Sequence, residues 1–512
     1  MSSTFHGLEV ARRGMSAQQS ALYTTGHNIS NANTPGYSRQ RVNFEQTSPF
    51  PPASRNRPEI PGQVGSGVEA GTIERVRESF LDDQFRGENQ KVGYYGTKSE
   101  ALSKMEEIMN EPSEQGLSKT MDRFWQSLQD LSTQPEDSGT RSQVKQRGVA
   151  VAETFNFLSN SLQGIQQDYK NQIKIAEKEI NSLAKQIDGL NKQIAEVEPH
   201  GYLPNDLYDE RDRLVDELSQ HVDIKVTTQS SSNSSLEMAQ GKYTVEIVDG
   251  SGNAVFGGQP LVDGAGDTYN ELTVNADGVD GSINTMSLGG STINAENFSS
   301  VGKMMGLIDS YGFEQGGKAV GTYPEMLETL DNMAFAFANE FNQVHSSGQS
   351  LNEINSGTTA NQNFFTAQGT AKGYASTMTV DAAILNDPNN IAAANTGNAG
   401  DGGNALDLAD VGSTTLDYDN DGTNDSTFSS FYQGVIGEMA IQSQEATRLH
   451  NNSETLRQSV EERRQSVSGV SLDEEMSNMI KFQHAYNAAA RNLTTIDEML
   501  DKVINGMGRV GR

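Results

Sequence analysis

The sequence predicts a mainly α-helical protein with inserted β-rich domains, a nested multi-domain body in which the N- and C-terminal segments form long coiled-coil helices. Three observations carry this. Leu472, Met479, Tyr486, Leu493 and Leu500 recur every seven residues, the spacing of one coiled-coil seam position. Leu8, Met15, Leu22 and Ile29 repeat that spacing near the other end, with Ala11 between them. A third apolar seam runs from Phe155 to Val197 without a proline. Each terminal stripe is narrow, and a helix with so little to bury is marginal alone. Pairing the two ends buries both stripes, and terminal helices that need partners suggest assembly.

In chain order, no proline interrupts residues 1–34, and Pro35-Gly36 then stops the first helix in a turn. Pro49, Pro51, Pro52, Pro58 and Pro61 forbid a long helix over 42–62. The alternation over 64–73 fits a strand. Helical spacing returns from Glu78 through Phe80, Phe85, Val92 and Tyr95 to Leu102, Met105 and Ile108. A break is expected over 110–113. Leu117, Met121, Phe124, Leu128 and Leu131 then mark a second helix.

The longest helix is expected over about 140–197. Phe155, Leu158, Leu162, Ile165 and Tyr169 make one seam, and Ile173 through Ile187 to Val197 continue it after one register shift. At 1.5 Å per residue the rod is roughly 85 Å long. A turn between Pro199 and Pro204 precedes a shorter helix with Leu207, Leu214 and Leu218.

From His221 the pattern changes to strand-like alternation over 223–228, 242–248 and 271–275, punctuated by glycine and asparagine. After Pro324 a helical seam returns with Leu327, Leu330, Ala334, Phe337, Phe341 and Val344. Residues 348–430, rich in Gly, Asn, Thr and Ala, read as a second insert, of mixed structure and exposed. The last body helix, over 431–467, carries Val435, Met439, Ala446, Leu449, Leu456 and Val460. Gly469 can act as a hinge, and Ser471 with Glu474 reads as a capping box for the terminal helix. The expected division is 1–35 with 471–512 as paired terminal helices, 36–220, 303–347 and 431–470 as the helical body, 221–302 as a β-rich insert and 348–430 as a variable outer insert.

At 512 residues there is room for three or four domains. A formal net charge of −30 argues against nucleic acid as a partner. The absence of cysteine excludes disulfides, thiolate metal sites and cysteine nucleophiles. No apolar run approaches the ~20 residues that span a bilayer, so no membrane partner is expected. The first residues lack the apolar core of a signal peptide, which points to a cytosolic protein or one exported by a route that reads no cleaved signal.

Two motifs come near to chemistry. Gly312, Gly317 and Lys318 have phosphate-loop spacing, but Ala319 stands where Ser or Thr would hold Mg²⁺. Asp417, Asp419, Asp421, Gly422 and Asp425 resemble the start of a calcium loop, but its twelfth position is Phe428, where a bidentate glutamate belongs. An acidic turn accounts for the same residues. The seven histidines are scattered and form no HExxH pair. No catalytic residues and no cofactor are expected.

The run Ser20-Ala21-Leu22, followed by Asn28-Ile29-Ser30-Asn31-Ala32-Asn33-Thr34-Pro35-Gly36-Tyr37, resembles the N-terminal signature of bacterial flagellar rod, hook and hook-associated proteins. The C-terminal run from Gly469 through Ser471-Leu472-Asp473-Glu474-Glu475-Met476 to Ala490, continuing as Thr494 to Leu500, is similar to the same family. Three internal stretches narrow the resemblance to the hook-associated proteins of the hook–filament junction. They are Phe124-Trp125 through Leu131, Pro204-Asn205-Asp206-Leu207 through Arg211-Asp212 to Ser219, and Phe337 through Asn342 to His345.

The resemblance implies a structural, non-enzymatic axial protein, exported through the flagellar type III channel and located outside the cell. Implied partners are other copies of itself in a ring, the hook protein, the second junction protein and an export chaperone on the C-terminal helix. The alternatives are a hook or distal rod protein, or an exported scaffold with an adhesive or enzymatic insert. The expected assembly seam is Leu8, Met15, Leu22 and Ile29 with Leu472, Met479, Tyr486, Leu493 and Leu500.

Overall fold

The computed structural model describes residues 4–51, 55, 62–109, 113–419 and 422–506. Helix α1, Thr4–Asn31, opens the chain and ends short of the Pro35-Gly36 turn, where Gly36 takes φ +81°. Strands β1, Gln40–Gln46, and β2, Val68–Arg75, pair antiparallel beside it. Pro52, Pro58 and Pro61 lie outside the described residues, as does most of the break expected over 110–113.

Helices α2, Ser79–Met109, α3, Leu117–Thr133, and α4, Ser138–Val197, follow. Asp137 caps α4 through its side chain, which accepts from the Thr140 amide at 2.8 Å. Helix α4 has 60 residues and is the spine of the body. Phe155, Leu162, Tyr169, Ile173, Ile180, Ile187 and Ile194 are all buried along it. It packs on α3, on α5, Asn205–His221, and on the elements that follow. On α2, Phe85, Val92, Leu102 and Met105 face inward as expected, but Phe80 is 67% exposed. Phe80 points outward from the first turn, whose inward side is taken by Leu81 and Asp82.

Residues 221–302 form two small antiparallel sheets. One orders β3, Ile224–Gln229, β4, Lys242–Ile247, β5, Val262–Asp263, and β6, Thr268–Tyr269. The other orders β7, Leu272–Asn275, β8, Thr285–Leu288, and β9, Ser291–Asn294. Both lean on α4, to which Asn181 hydrogen-bonds the β7 backbone in both directions at 2.8 Å.

Helix α6, Lys303–Tyr311, had no apolar repeat long enough to announce it. It leads into a hairpin of β10, Phe313–Gln315, and β11, Lys318–Val320. The residues with phosphate-loop spacing are this hairpin: Gly316 and Gly317 make its turn with φ +59° and +81°. No helix starts at Lys318, so nothing gathers amides around a phosphate.

Helix α7, Thr322–Ser347, is followed by β12, Gln349–Ser350, α8, Leu351–Ser356, α9, Tyr374–Thr377, α10, Ala382–Asn386, β13, Ala392–Ala394, and α11, Gly403–Asp410. The expectation that 348–430 is an exposed insert fails for its apolar residues. Phe364, Phe365, Tyr374, Met378, Ile384 and Leu408 are buried in the common core. The rings of Phe364 and Phe365 join those of Phe124, Phe337 and Phe341, with centroids 4.9–6.1 Å apart where paired with Phe124, Phe341 or each other. Average composition concealed this, because a few aromatics among many Gly and Asn residues bury much area.

His345 on α7 holds that segment down. One ring nitrogen meets the Gln362 carbonyl at 2.7 Å and the other accepts from the Ala392 amide at 3.0 Å. Helix α12, Phe428–Ser468, then runs back along α2, and α13, Leu472–Asp501, lies against α1. No described helix is long and apolar enough to cross a membrane.

Candidate assembly site

The two ends of the chain meet. Helices α1 and α13 pack antiparallel: a Cβ at Gly7 would touch the Ile496 side chain at 3.2 Å, and Asn28 bonds Glu475 at 3.2 Å. Of the expected seam residues, Leu8, Met15, Leu22 and Ile29 are half-buried, as are Met479, Tyr486 and Leu493, and Leu500 is buried. Leu472 is 49% exposed. The fully buried residues of α1 are instead small or polar: Ala11, Ala17, Ala21, Thr24, Thr25 and Asn28. A heptad count favours large side chains and passes over these.

Asn28 explains the N-terminal signature. Its Oδ1 accepts from the Tyr37 hydroxyl at 2.8 Å and the Gln40 amide at 2.9 Å. Its Nδ2 donates to the Gln40 carbonyl at 2.8 Å and to Glu475. Because the Tyr37 proton goes to Asn28, His27 Nδ1 donates to the Tyr37 oxygen, at 2.9 Å. Burial pushes the Tyr37 phenol up, and Asp206, Asp209 and Glu475 add to it, so the hydroxyl stays a donor. Pro35 and Gly36 turn the chain so that Tyr37 returns to the helix it has just left.

The expected capping box at Ser471 does not form. Its side chain makes no cap hydrogen bond, and Glu474, the other half of the box, is drawn away to Arg39 Nη1 at 2.7 Å. Arg39 Nε meets Glu475 at 2.8 Å. The Arg39 amide donates to the Ser468 carbonyl and its own carbonyl accepts from Val76, both at 2.8 Å. One residue therefore touches the chain just after β2, the end of α12 and the start of α13. Gly469, the expected hinge, is extended at φ −70°, with its would-be Cβ against the Gln465 carbonyl.

Behind this junction lies a buried ionic network. On α5, Asp209, Asp212 and Asp216 face inward one turn apart and carry the acidic half. Arg75 pairs with Asp209 at 2.6 Å and Asp212 at 2.9 Å. Arg77 takes Asp82 at 2.7 Å and Asp212 at 3.3 Å, and Arg86 takes Asp216 at 2.8 Å. Arg464 of α12 pairs with Asp216 and lies over the Phe85 ring, 4.1 Å from its centroid. Burial alone would raise the Asp212 carboxyl, but Arg77, Arg75 and Arg86 together hold it well below the carboxylate range. Arg211 is buried against Tyr243, 3.4 Å from the ring centroid, and donates to the Gly241 carbonyl at 2.6 Å. The motif over Pro204–Ser219 contained this acidic half. Its partners Arg75, Arg77, Arg86 and Arg464 lie far away in sequence and carried no local signal.

The acidic turn is described only in part. Asp421 lies outside the described residues, and among the described residues no cluster of three or more His, Asp or Glu is arranged to hold a metal. Asp417 instead accepts from the Gly422 amide at 2.9 Å, and Asp425 from the Ser426 hydroxyl. The acidic-turn reading remains.

On α13 an apolar row faces away from α1. Leu472, Met476 and Ile480 are spaced one helical turn apart and are each about half exposed, as are Met499 and Val503 further along. The row leaves an exposed apolar strip along the outer face of the helix.

Residues 102–365 match the family described as the helical domain of flagellar hook-associated protein FlgK. Residues 8–37 match the flagella basal body rod protein family, and 463–506 the C-terminal family of the basal body rod FlgEFG proteins. Flagellar hook-associated protein 1 of Bacillus subtilis is 46% identical over the whole of both chains. The protein of that name from Escherichia coli K12 is 26% identical over 97% of this chain and 98% of its own. In fold, the chain is similar to the flagellar hook junction protein FlgK of Burkholderia pseudomallei, with a TM-score of 0.61 at 14% identity, covering 75% of this chain and 100% of that one. Full-length similarity, the matched helical domain and the paired ends carrying the rod-family signatures agree that this chain belongs to the flagellar hook-associated protein 1 family.

Proposed function

We propose that this chain is a structural, non-enzymatic part of the bacterial flagellum that forms the junction between hook and filament and lets the filament assemble. The observation that carries this is the joined pair of chain ends with an apolar row left facing outward. A subunit built that way is completed by neighbours along an axis. The full-length relatives bearing the hook-associated name support it.

In this reading 1–35 and 471–512 are the inner axial pair, and 36–220, 303–347 and 431–470 the helical body. Residues 221–302 and 348–430 are the two inserts, the second built into the body core at its base. The partners are other copies of this chain in a ring, the hook protein on one side and the second junction protein on the other. Before export the apolar row of α13 suits a chaperone with an apolar groove. In this reading the protein is exported through the flagellar channel and lies outside the cell.

The test is deletion of the gene in its own host, with electron microscopy of the cell surface. Hooks without filaments, flagellin in the medium and restoration by the intact gene are the expected result. Normal filaments on the deleted strain overturn the proposal.

A further inference from the structure

The seam between α1 and α13 is smooth. Ala11, Ala17, Ala21, Thr24 and Thr25 on α1 are small, and α13 offers Ala485, Ala489 and Ala490 among its half-buried residues. The larger apolar positions repeat every seven residues on both helices. Sliding one helix past the other by a heptad therefore sets similar side chains against one another and loses little burial. A seam of this kind holds two helices together without saying where along each other they should stop.

One buried polar contact breaks that degeneracy. Glu475 is 2% exposed, although it lies between the half-exposed Leu472, Met476 and Ile480. Burying the acid while leaving apolar neighbours in water runs against transfer free energy. The arrangement holds because Arg39 and Asn28 both bond the carboxylate, at 2.8 and 3.2 Å. Arg39 is fixed in turn by its backbone bonds to Ser468 and Val76, and Asn28 by both backbone groups of Gln40. The contact at the far end obeys the same offset: twenty-one residues separate Gly7 from Asn28, and twenty-one separate Glu475 from Ile496. The ring contact of Phe44 with Phe482, at 6.1 Å, is apolar and tolerates sliding.

We propose that Asn28, Arg39 and Glu475 form a register key, which fixes the axial offset of α13 on α1 and ties that offset to the body. A slip that brings Ala489 to Gly7 would carry Glu475 to Ala21, away from Arg39, and leave Asn28 without its carboxylate partner, so slipped pairings are rejected. These are positioning residues: they select one arrangement among several of similar burial. The inference concerns the purified chain and stands whether or not the junction reading does.

The natural chain has no cysteine, so engineered disulfides report the offset cleanly. Gly7→Cys is combined with Ile496→Cys for the native offset, and with Ala489→Cys for a one-heptad slip. Each pair is made in the full-length chain and in its Glu475→Leu and Glu475→Gln versions. Oxidation yields are read by peptide mapping, with intramolecular links separated from dimers by size. With Glu475 present, the native pair should link at least about tenfold better than the slipped pair. In Glu475→Leu the preference should fall to about threefold or less, while the body keeps its melting temperature. Glu475→Gln keeps a partner for Asn28 and should fall between, and it decides the matter if Glu475→Leu does not fold. An undiminished preference in both variants, or equal linking of the two pairs with Glu475 present, overturns the proposal.

Discussion

The Tyr37 hydroxyl donates to Asn28 Oδ1 at 2.8 Å, closing a turn that begins and ends on the same helix face. Asn28 accepts the Tyr37 proton, and its amide also serves the Gln40 backbone. Asn28→Ala removes the partner of both the half-buried Gln40 amide and its carbonyl. The expected loss is about 2–3 kcal/mol of local stability. Hydrogen exchange along α1 and β1 should show it, with protection in α4 unchanged.

Asp212 balances three arginines, so its loss is more than the loss of one ion pair. Asp212→Asn leaves Arg75, Arg77 and Arg86 facing one another across a buried space. The expected destabilisation is about 3–5 kcal/mol, measured by urea unfolding at pH 7. The sign with pH follows from the depressed carboxyl. Its stabilisation is complete above the unfolded value of about 3.9 and fades as pH falls below that toward the folded value. The variant should therefore lose less stability than the natural chain on acidification below about pH 4.

His345 works in the opposite range. Burial holds its imidazole down to about 4, against about 6.5 in the unfolded chain. The neutral ring is the native form, since one nitrogen must accept from the Ala392 amide. Stability is full above about pH 6.5 and falls by up to about 3 kcal/mol as pH drops through the folded value. His345→Gln should be less stable at pH 7 and show a flatter loss between pH 6.5 and 4. His221 is also held down to about 4 by burial, so the flattening removes only one share of the slope.

Substitutions on α13 separate pairing from assembly. Ile480→Asp places its charge on the outward face, where Ile480 is 54% exposed. It should change the stability of the free chain by no more than about 0.5 kcal/mol and yet prevent filament formation. Tyr486→Asp charges the half-buried seam, and should both weaken the terminal pair and prevent assembly while the body stays folded. Electron microscopy of complemented cells and thermal melting of purified protein check both.

The long-period parts of this fold were legible in the sequence, because a helical seam repeats often enough to be read. The 60-residue α4 and the terminal helices are of this kind. What escaped was carried by few residues or by distant ones. Phe364 and Phe365 anchor a segment whose average composition looks solvent-exposed. Ser471 and Glu474 have the spacing of a capping box, yet Arg39, far back in the chain, takes the glutamate. The acidic half of the ionic network sat inside a recognisable motif, whereas its arginines come from β2, α2 and α12 and meet it only in three dimensions. Local patterns report what a helix face needs and leave open which distant partner supplies it.

The ionic network also sets an order of events. Asp82, Arg86 and Asp216 are all in place before the chain is half made, but Arg464 and Glu475 arrive near its end. Contacts across such separations form late, because a long loop must close first. A chain emerging N-terminus first from a ribosome, or from any narrow conduit, therefore lacks the Arg464 partner of Asp216 and the Glu475 partner of Arg39 until its last tenth is free. A copy truncated before Arg464 has neither contact, and without α13 it forms no terminal pair at that junction.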